Sequence, residues 1–269
     1  MHGFGAGVGD FYLTVTSIAP LGNDDAVDAM PLAFGDTPFN NSFATAETGE
    51  PSPGPGTDGP GSCNSQDGWC AFETEVQNSV WYTFEGPPLG CVSLAATGFD
   101  TQLALWDAQD PADFSTYLEI AANDDDGDVL MPGAHVFSAG IFPVCVDPNR
   151  TYHVQLDGFS GASGPGTLTL QAEVCDCDAD GVPDDIDVCL GSDLSDSVAI
   201  QDCDSGVDNT FFEFGCTISD LIAECDDPKN HGDFVSCTSH VTNDLKKDKL
   251  LSGRDKAAIQ RCAAQSDIP

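Results

Sequence analysis

The stretch GTLTLQAEVCDCDADGVPDDIDVC, Gly166 to Cys189, holds the change of pattern on which the fold turns. In its first part Leu168, Leu170, Ala172 and Val174 alternate with Thr167, Thr169, Gln171 and Glu173, the period of a half-buried strand. At Cys175 the alternation stops, and the next fifteen residues carry six aspartates and three cysteines. Counted from Asp176, carboxylates fall at positions 1, 3 and 5 (Asp176, Asp178, Asp180), Gly181 is at 6, Val182 at 7, Asp184 at 9 and Asp187 at 12. That is the spacing of a calcium loop. Alternate residues of a tight loop point inward, glycine permits the sharp turn, the carbonyl at position 7 adds a neutral oxygen, and the last carboxylate closes the shell. An acidic linker is the alternative, but a linker has no need of this register.

The flanks depart from a helix–loop–helix hand, because Pro183 follows position 7 and Cys189 stands where an exiting helix would run. The run from Asp176 to Cys189 instead resembles the aspartate-rich calcium repeats of thrombospondin type 3, D-x-D-x-D-G-x-x-D-x-x-D-x-C, over one repeat. The resemblance implies Ca²⁺ held by Asp176, Asp178, Asp180, Asp187 and the Val182 carbonyl, with Asp184 acting directly or through water. Residues 190–209 read as a degenerate second copy, with Asp202, Asp204 and Asp208 out of register.

Charge supports loop chemistry. Of 269 residues 45 are acidic and 8 basic, a net charge of −37. Seven of the bases follow residue 228, so residues 1–228 carry a net −39 and the remainder +2. Nucleic-acid binding is disfavoured, since phosphate contacts need clustered Lys and Arg, and anionic lipid would repel such a surface. Asp outnumbers Glu by 36 to 9, and Asp favours turns and metal loops where Glu favours helices. Adaptation to high salt would produce a similar composition. Twelve cysteines without a C-x-x-C spacing point to disulfides and an extracellular or cell-surface location. No stretch of eighteen apolar residues suggests a membrane span, and MHGFGAG carries no secretory signal, so a signal has been removed or the numbering starts inside a longer product.

From Asn23 to Val174 short strands alternate with turn residues: 79–86, 91–98, 101–108, 118–123, 140–147, 151–158 and 166–174. This predicts a mainly β fold, a β-sandwich, with PSPGPGTDGPGS (51–62) as an excursion too rich in Pro and Gly for regular structure. NDDAVDA (23–29), ATAETGEPS (44–52), SVWYTF (79–84), GFDTQLALWD (98–107), AANDDDG (121–127) and YHVQLDGFSG (152–161) together resemble the bacterial pre-peptidase C-terminal domain. That resemblance implies a jelly-roll-like antiparallel sandwich of a secreted protein, with further calcium candidates at Asn23, Asp24, Asp100, Asp124 and Asp125. The same aspartates would otherwise serve as turn caps. Trp81, Trp106, Phe99 and Tyr152 read as inward-facing sandwich core.

The N-terminal segment GFGAGVGDFYLTVTSIAP (3–20) parallels GFSGASGPGTLTLQAEV (158–174), with Phe11, Leu13 and Val15 opposite Leu168, Leu170 and Ala172. It reads as the last strand of a preceding copy, either a tandem-array remnant or a strand donated to the sheet edge of a neighbouring subunit. Donation that does not close on itself builds a filament.

Beyond Cys216 the period becomes helical, with Thr217 and Ser252 at N-cap positions. This tail resembles a C-terminal module of secreted bacterial proteins. The expected organisation is therefore 1–20 donor-like strand, 21–174 sandwich, 175–209 calcium connector and 210–269 helical module. Separation along the chain favours disulfides Cys63 with Cys70, Cys91 with Cys145, Cys189 with Cys203, and Cys237 with Cys262.

Catalytic motifs are absent: there is no H-E-x-x-H and no G-x-S-x-G. A Cys237–His240 thiol–imidazole pair, with His231 nearby, competes with the reading of Cys237 as bonded. The expectation is a non-enzymatic, calcium-stabilised structural or adhesive protein that forms a homo-oligomer or polymer and contacts extracellular protein or polysaccharide. The alternative is the accessory substrate-binding part of a larger secreted peptidase or surface enzyme.

Overall fold

A computed structural model describes residues 21–57, 63–70, 75–134 and 136–268. The chain is mainly β: β1 Met30–Pro31, β2 Gly35–Asn40, β3 Val80–Glu85, β4 Cys91–Thr97, β5 Thr101–Ala108, β6 Tyr117–Asn123, the short helix α1 Gly127–Leu130, β7 Gly140–Cys145, β8 Thr151–Gly158, β9 Pro165–Ala172, β10 Ser197–Ile200 and β11 Cys203–Asp208, then α2 Ile218–Ala223, α3 His231–Lys247 and α4 Gly253–Gln265. A five-stranded sheet has the order β1-β3-β8-β5-β6, a four-stranded sheet β2-β9-β4-β7, and β10-β11 form a separate hairpin. β5 pairs antiparallel with β6 and β8, as expected, but β1 pairs parallel with β3 (Met30 opposite Tyr82), so the five-stranded sheet is mixed. By packing, the described parts of Met1–Phe84, Ala95–Gly140 and Tyr152–Leu168 form one compact unit, and those of Glu85–Leu94, Ile141–Thr151 and Thr169–Pro269 a second.

In the first unit the central strands are buried along both faces: every residue of β5 from Thr101 to Trp106 is buried, and every residue of β8 from Tyr152 to Gly158. The pleat places Leu103 and Leu105 on one face and Gln102, Ala104 and Trp106 on the other. Trp81 and Trp106 are buried, as expected, and pack with Trp69, Ala26, Ala104 and Ala122 in one core cluster. Phe99 is half-buried, edge-on to Phe39. The described parts of 44–78 cover the tryptophan face. Asp157 accepts from the Gln77 and Asn78 amides (2.7 and 2.8 Å), Trp69 Nε1 donates to Leu103 O, and Trp106 Nε1 donates to Gln155 Oε1. A polar sheet face is thus satisfied by a loop rather than by water.

Glu50 lies at the centre of that covering. Its Oε1 accepts from Trp81 Nε1 (2.9 Å) and Gln155 Nε2 (3.1 Å), and its Oε2 from the Glu47 amide. Burial pushes its carboxyl up to about 7, against the lowering effect of these donors. A raised folded-state value means that its stabilising contribution is complete below the unfolded carboxyl range and is lost as pH rises through 7. Glu50→Gln should therefore gain on the order of 2 kcal/mol relative to wild type between pH 5 and pH 8.5, after allowance for residual screening. Urea midpoints at the two pH values test this, and a pH-independent difference would remove Glu50 as the cause.

In the second unit the hairpin β10–β11 occupies the span that reads as a degenerate repeat. Val198, Ile200 and Val207 turn in to join Ile218, Ile222, Phe234 and Ile259 in one apolar cluster, while Asp204 spends a carboxylate oxygen on the Gly206 amide. Thr217 and Ser252 cap α2 and α4 in reciprocal boxes with Asp220 and Asp255, and Asn230 caps α3. No helix among the described residues is long and apolar enough to cross a membrane.

All twelve cysteines are bonded, in six disulfides. Cys63 joins Cys70. Cys91 and Cys145 are not bonded to each other, although β4 and β7 are neighbours and the Val146 amide donates to Gly90 O; the chain leaving β9 runs beside β4, with the Glu173 amide donating to Cys91 O. Alternate residues of that segment then take one partner each, Cys175 bonding Cys91 and Cys177 bonding Cys145. Cys189 bonds Cys216 rather than Cys203, because the Val188 amide pairs with Phe214 O and brings the two segments together. Cys203 opens β11 against α4 and bonds Cys262, which leaves Cys237 for Cys225.

Candidate metal centres

Two carboxylate groups converge. In the connector, Asp176, Asp178 and Asp180 each place an oxygen within 4.8 Å of the others. The loop is wound by its own side chains. Asp176 accepts from the Asp180 and Gly181 amides (3.0 and 2.9 Å), and Asp180 accepts from Val182 N (2.7 Å), which fixes the backbone turn at the Val182 peptide. Gly181 sits at φ 93°, the left-handed conformation that the sharp turn requires. Asp184 faces the loop entrance, where its Oδ1 accepts from Cys177 N and its own amide donates to Cys175 O. Asp187 Oδ1 accepts from Cys189 N, while Oδ2 is shut away from solvent with no partner. Burial first, then the carboxylates of Asp180, Asp178 and Asp184, push the Asp187 carboxyl up.

The second group lies where β6 runs out. One oxygen each of Asp100, Asp124 and Asp125 lies within 4.8 Å of the others. Asp124 is completely buried; its Oδ2 accepts from Gln102 Nε2 and Cys70 N, both at 3.1 Å, and its Oδ1 has no partner. Burial, reinforced by Asp125 and Asp100 and opposed by the two donors, raises its carboxyl to about 7. A buried carboxylate oxygen with nothing to bind, beside two more carboxylates, fits a hard divalent cation, which supplies the missing charge and contact together. Thiolate ligation is excluded there, because Cys63 and Cys70, also within reach of Asp125, are bonded to each other.

The loop 63–70, closed by the expected Cys63–Cys70 disulfide, roofs this second group, a placement that the sequence did not indicate. The Asp125 amide donates to Cys63 O, Asn123 Nδ2 to Ser65 O, and Asn64 and Gln66 donate to opposite oxygens of Asp126 (2.7 and 3.0 Å). Asp126 is thereby committed to holding the roof. The consecutive polar residues Asn64, Ser65 and Gln66 between two close cysteines were the available signal. Asn23 and Asp24 stand apart from both groups: Asn23 Nδ2 donates to Trp81 O, and the two oxygens of Asp24 take the amide and hydroxyl of Thr45. Those two residues act as braces.

No protein family matches the chain, and no curated protein matches it. Among solved structures it is similar to the pre-peptidase C-terminal domain of a collagenase from Bacillus anthracis, at 12% identity and TM-score 0.27, over 53% of this chain and 94% of that one.

The catalytic alternative has lost its thiol, since Cys237 is bonded to Cys225 and His231 Nδ1 is engaged with Ile268 O at 2.9 Å. Phe11, Leu13 and Val15 lie outside the described residues.

Proposed function

We propose that this chain is a calcium-stabilised extracellular structural protein without catalytic activity, in which Ca²⁺ at Asp100, Asp124 and Asp125 locks the sandwich loops and Ca²⁺ at Asp176, Asp178, Asp180 and Asp187 rigidifies the connector. The observation that carries the reading is the fully buried, partnerless Asp124 Oδ1 among carboxylates. An oxygen in that position costs stability unless a proton or a cation reaches it. The six disulfides support an oxidising compartment, where millimolar calcium suits sites of this kind.

Assembly is proposed to run through strand addition by residues 9–18, and the sheet edges narrow where that strand lands. Among the described residues, edge strands β1, β2 and β7 each contain a proline (Pro31, Pro38 and Pro143), which removes a ladder donor and discourages pairing. Of the edges of the two larger sheets, β6 is the one without a proline. Its far end is taken by the Gln66 and Gly68 backbone, which leaves Tyr117–Ala121 as the acceptor. Negative-stain electron microscopy of the chain with and without residues 1–18 tests this. Polymers are expected only with the segment present, and single particles in both samples would rule out donation.

A further inference from the structure

Asp180 Oδ2 in the connector loop does not end among its own loop's residues. The Ser192 amide donates to Asp178 Oδ2 (2.7 Å), and its hydroxyl, with one proton to share, lies within hydrogen-bond reach of Asp180 Oδ2 (3.3 Å), Cys189 O (3.1 Å) and the carbonyl oxygen of Gly215. Gly215 itself is pressed against the aspartates. A Cβ added there would run into Asp187 Oδ1 and lie 3.0 Å from Asp180 Oδ2, and its φ of 79° is one that glycine alone adopts without strain. Asp187, the closing carboxylate, has its partnerless Oδ2 in this neighbourhood. The segment that presents Ser192 and Gly215 is held in place independently. Cys189–Cys216 closes it, the Val188 amide donates to Phe214 O, and the Phe212 amide donates to Cys216 O at 2.7 Å. Oxygens of three chemical kinds, carboxylate, hydroxyl and peptide carbonyl, therefore meet at one place, from the loop and its continuation to Ser192 on one side and from Gly215 on the other.

We infer that the cation shell of the Asp176–Asp187 loop is completed by the Ser192 hydroxyl and the Gly215 carbonyl, so that the bound ion cross-links the loop to the disulfide-closed segment 189–216. The inference rests on the calcium reading of the loop. Hard cations of calcium's size take six to eight oxygens, and neutral oxygens from outside the loop raise the count without adding charge repulsion. In this arrangement the Ser192 hydroxyl holds the two oxygens that the ion would draw together. Gly215 is required for two reasons: its carbonyl is a ligand, and any side chain would displace Asp187.

Calorimetric titration of the full chain with calcium chloride, after removal of endogenous metal, tests the assignment. Asp178→Asn identifies which phase of the isotherm belongs to the loop. Ser192→Ala should weaken that phase by about tenfold and Gly215→Ala by about a hundredfold or more, with the phase of the Asp124 site unmoved. Peptide mapping under non-reducing conditions verifies that Cys189–Cys216 still forms. Should Gly215→Ala fail to fold, Ser192→Ala and amide exchange carry the test: calcium should slow exchange at Ser192 and at residues 212–216 in wild type and not in Asp178→Asn. A loop phase indifferent to both substitutions, or no calcium-dependent protection at 212–216, overturns the inference alone. A wild-type chain with no Asp178-dependent phase overturns the loop reading and this inference with it.

Discussion

Removing divalent cations at pH 7.5 should lower the melting temperature by about 5–10 °C for each site emptied. That figure follows from about 2.7 kcal/mol of linkage at a hundredfold excess over Kd and a few degrees per kcal/mol for a chain of this size. The two sites separate by mutation. With calcium present, Asp178→Ala should remove one increment and expose residues 176–188 to protease, and Asp124→Asn should remove the other and leave the connector resistant. Acidity discriminates further. The Asp124 carboxyl is raised to about 7, so at pH 5 it holds a proton in the folded chain and that site gains less from calcium. Differential scanning fluorimetry in EDTA and in calcium, at pH 5 and 7.5, reads all of this. Identical melting curves with and without chelator at pH 7.5 would end the calcium mechanism.

Loss of the Cys203–Cys262 disulfide should cost about 4 kcal/mol, because the bond closes a loop across a separation of 59 residues. The double serine variant should lose the cooperative unfolding of the hairpin β10–β11 with α2–α4, because Cys203 and Cys262 join β11 to α4 within their shared apolar cluster. The corresponding change at Cys63 and Cys70, with a separation of 7, should cost closer to about 2.5 kcal/mol. Urea unfolding followed by far-ultraviolet circular dichroism gives both numbers. A larger loss at the short bridge than at the long one would show that loop closure is not what these bonds contribute.

Strands with continuous or alternating apolar residues were legible in the sequence: β3 to β9 fall within a residue or two of the periodicity. So were the starts of α2 and α4, since Thr217 and Ser252 cap through local chemistry, whereas the Asn230 cap of α3 was not read. β1 and β2 were not, because exposed edge strands with Pro31 and Pro38 bury almost nothing and leave no pattern. β10 and β11 hid for another reason: their sequence is rich in aspartate, and their few apolar residues gain meaning only against α2 and α4. The spacing at 176–187 made the tight aspartate-wound turn legible, but the approach of Ser192 and Gly215 to it is tertiary, which spacing does not encode. Disulfide partners followed strand order rather than nearness in sequence. Cys175 and Cys177, on either side of Asp176, therefore reach different strands.

No disulfide spans residues 71–90 or residues 178–188, and the second of these gaps divides the six bonds three and three. Cys63–Cys70, Cys91–Cys175 and Cys145–Cys177 all close before residue 178, and Cys189–Cys216, Cys203–Cys262 and Cys225–Cys237 all open after residue 188. A single backbone cut anywhere in 178–188 therefore leaves two fragments with no covalent tie, each still fully cross-linked within itself. Sulfur makes both halves permanent and leaves their junction severable. On the calcium reading proposed above, an ion bound at 176–187 would shield that junction from proteolysis.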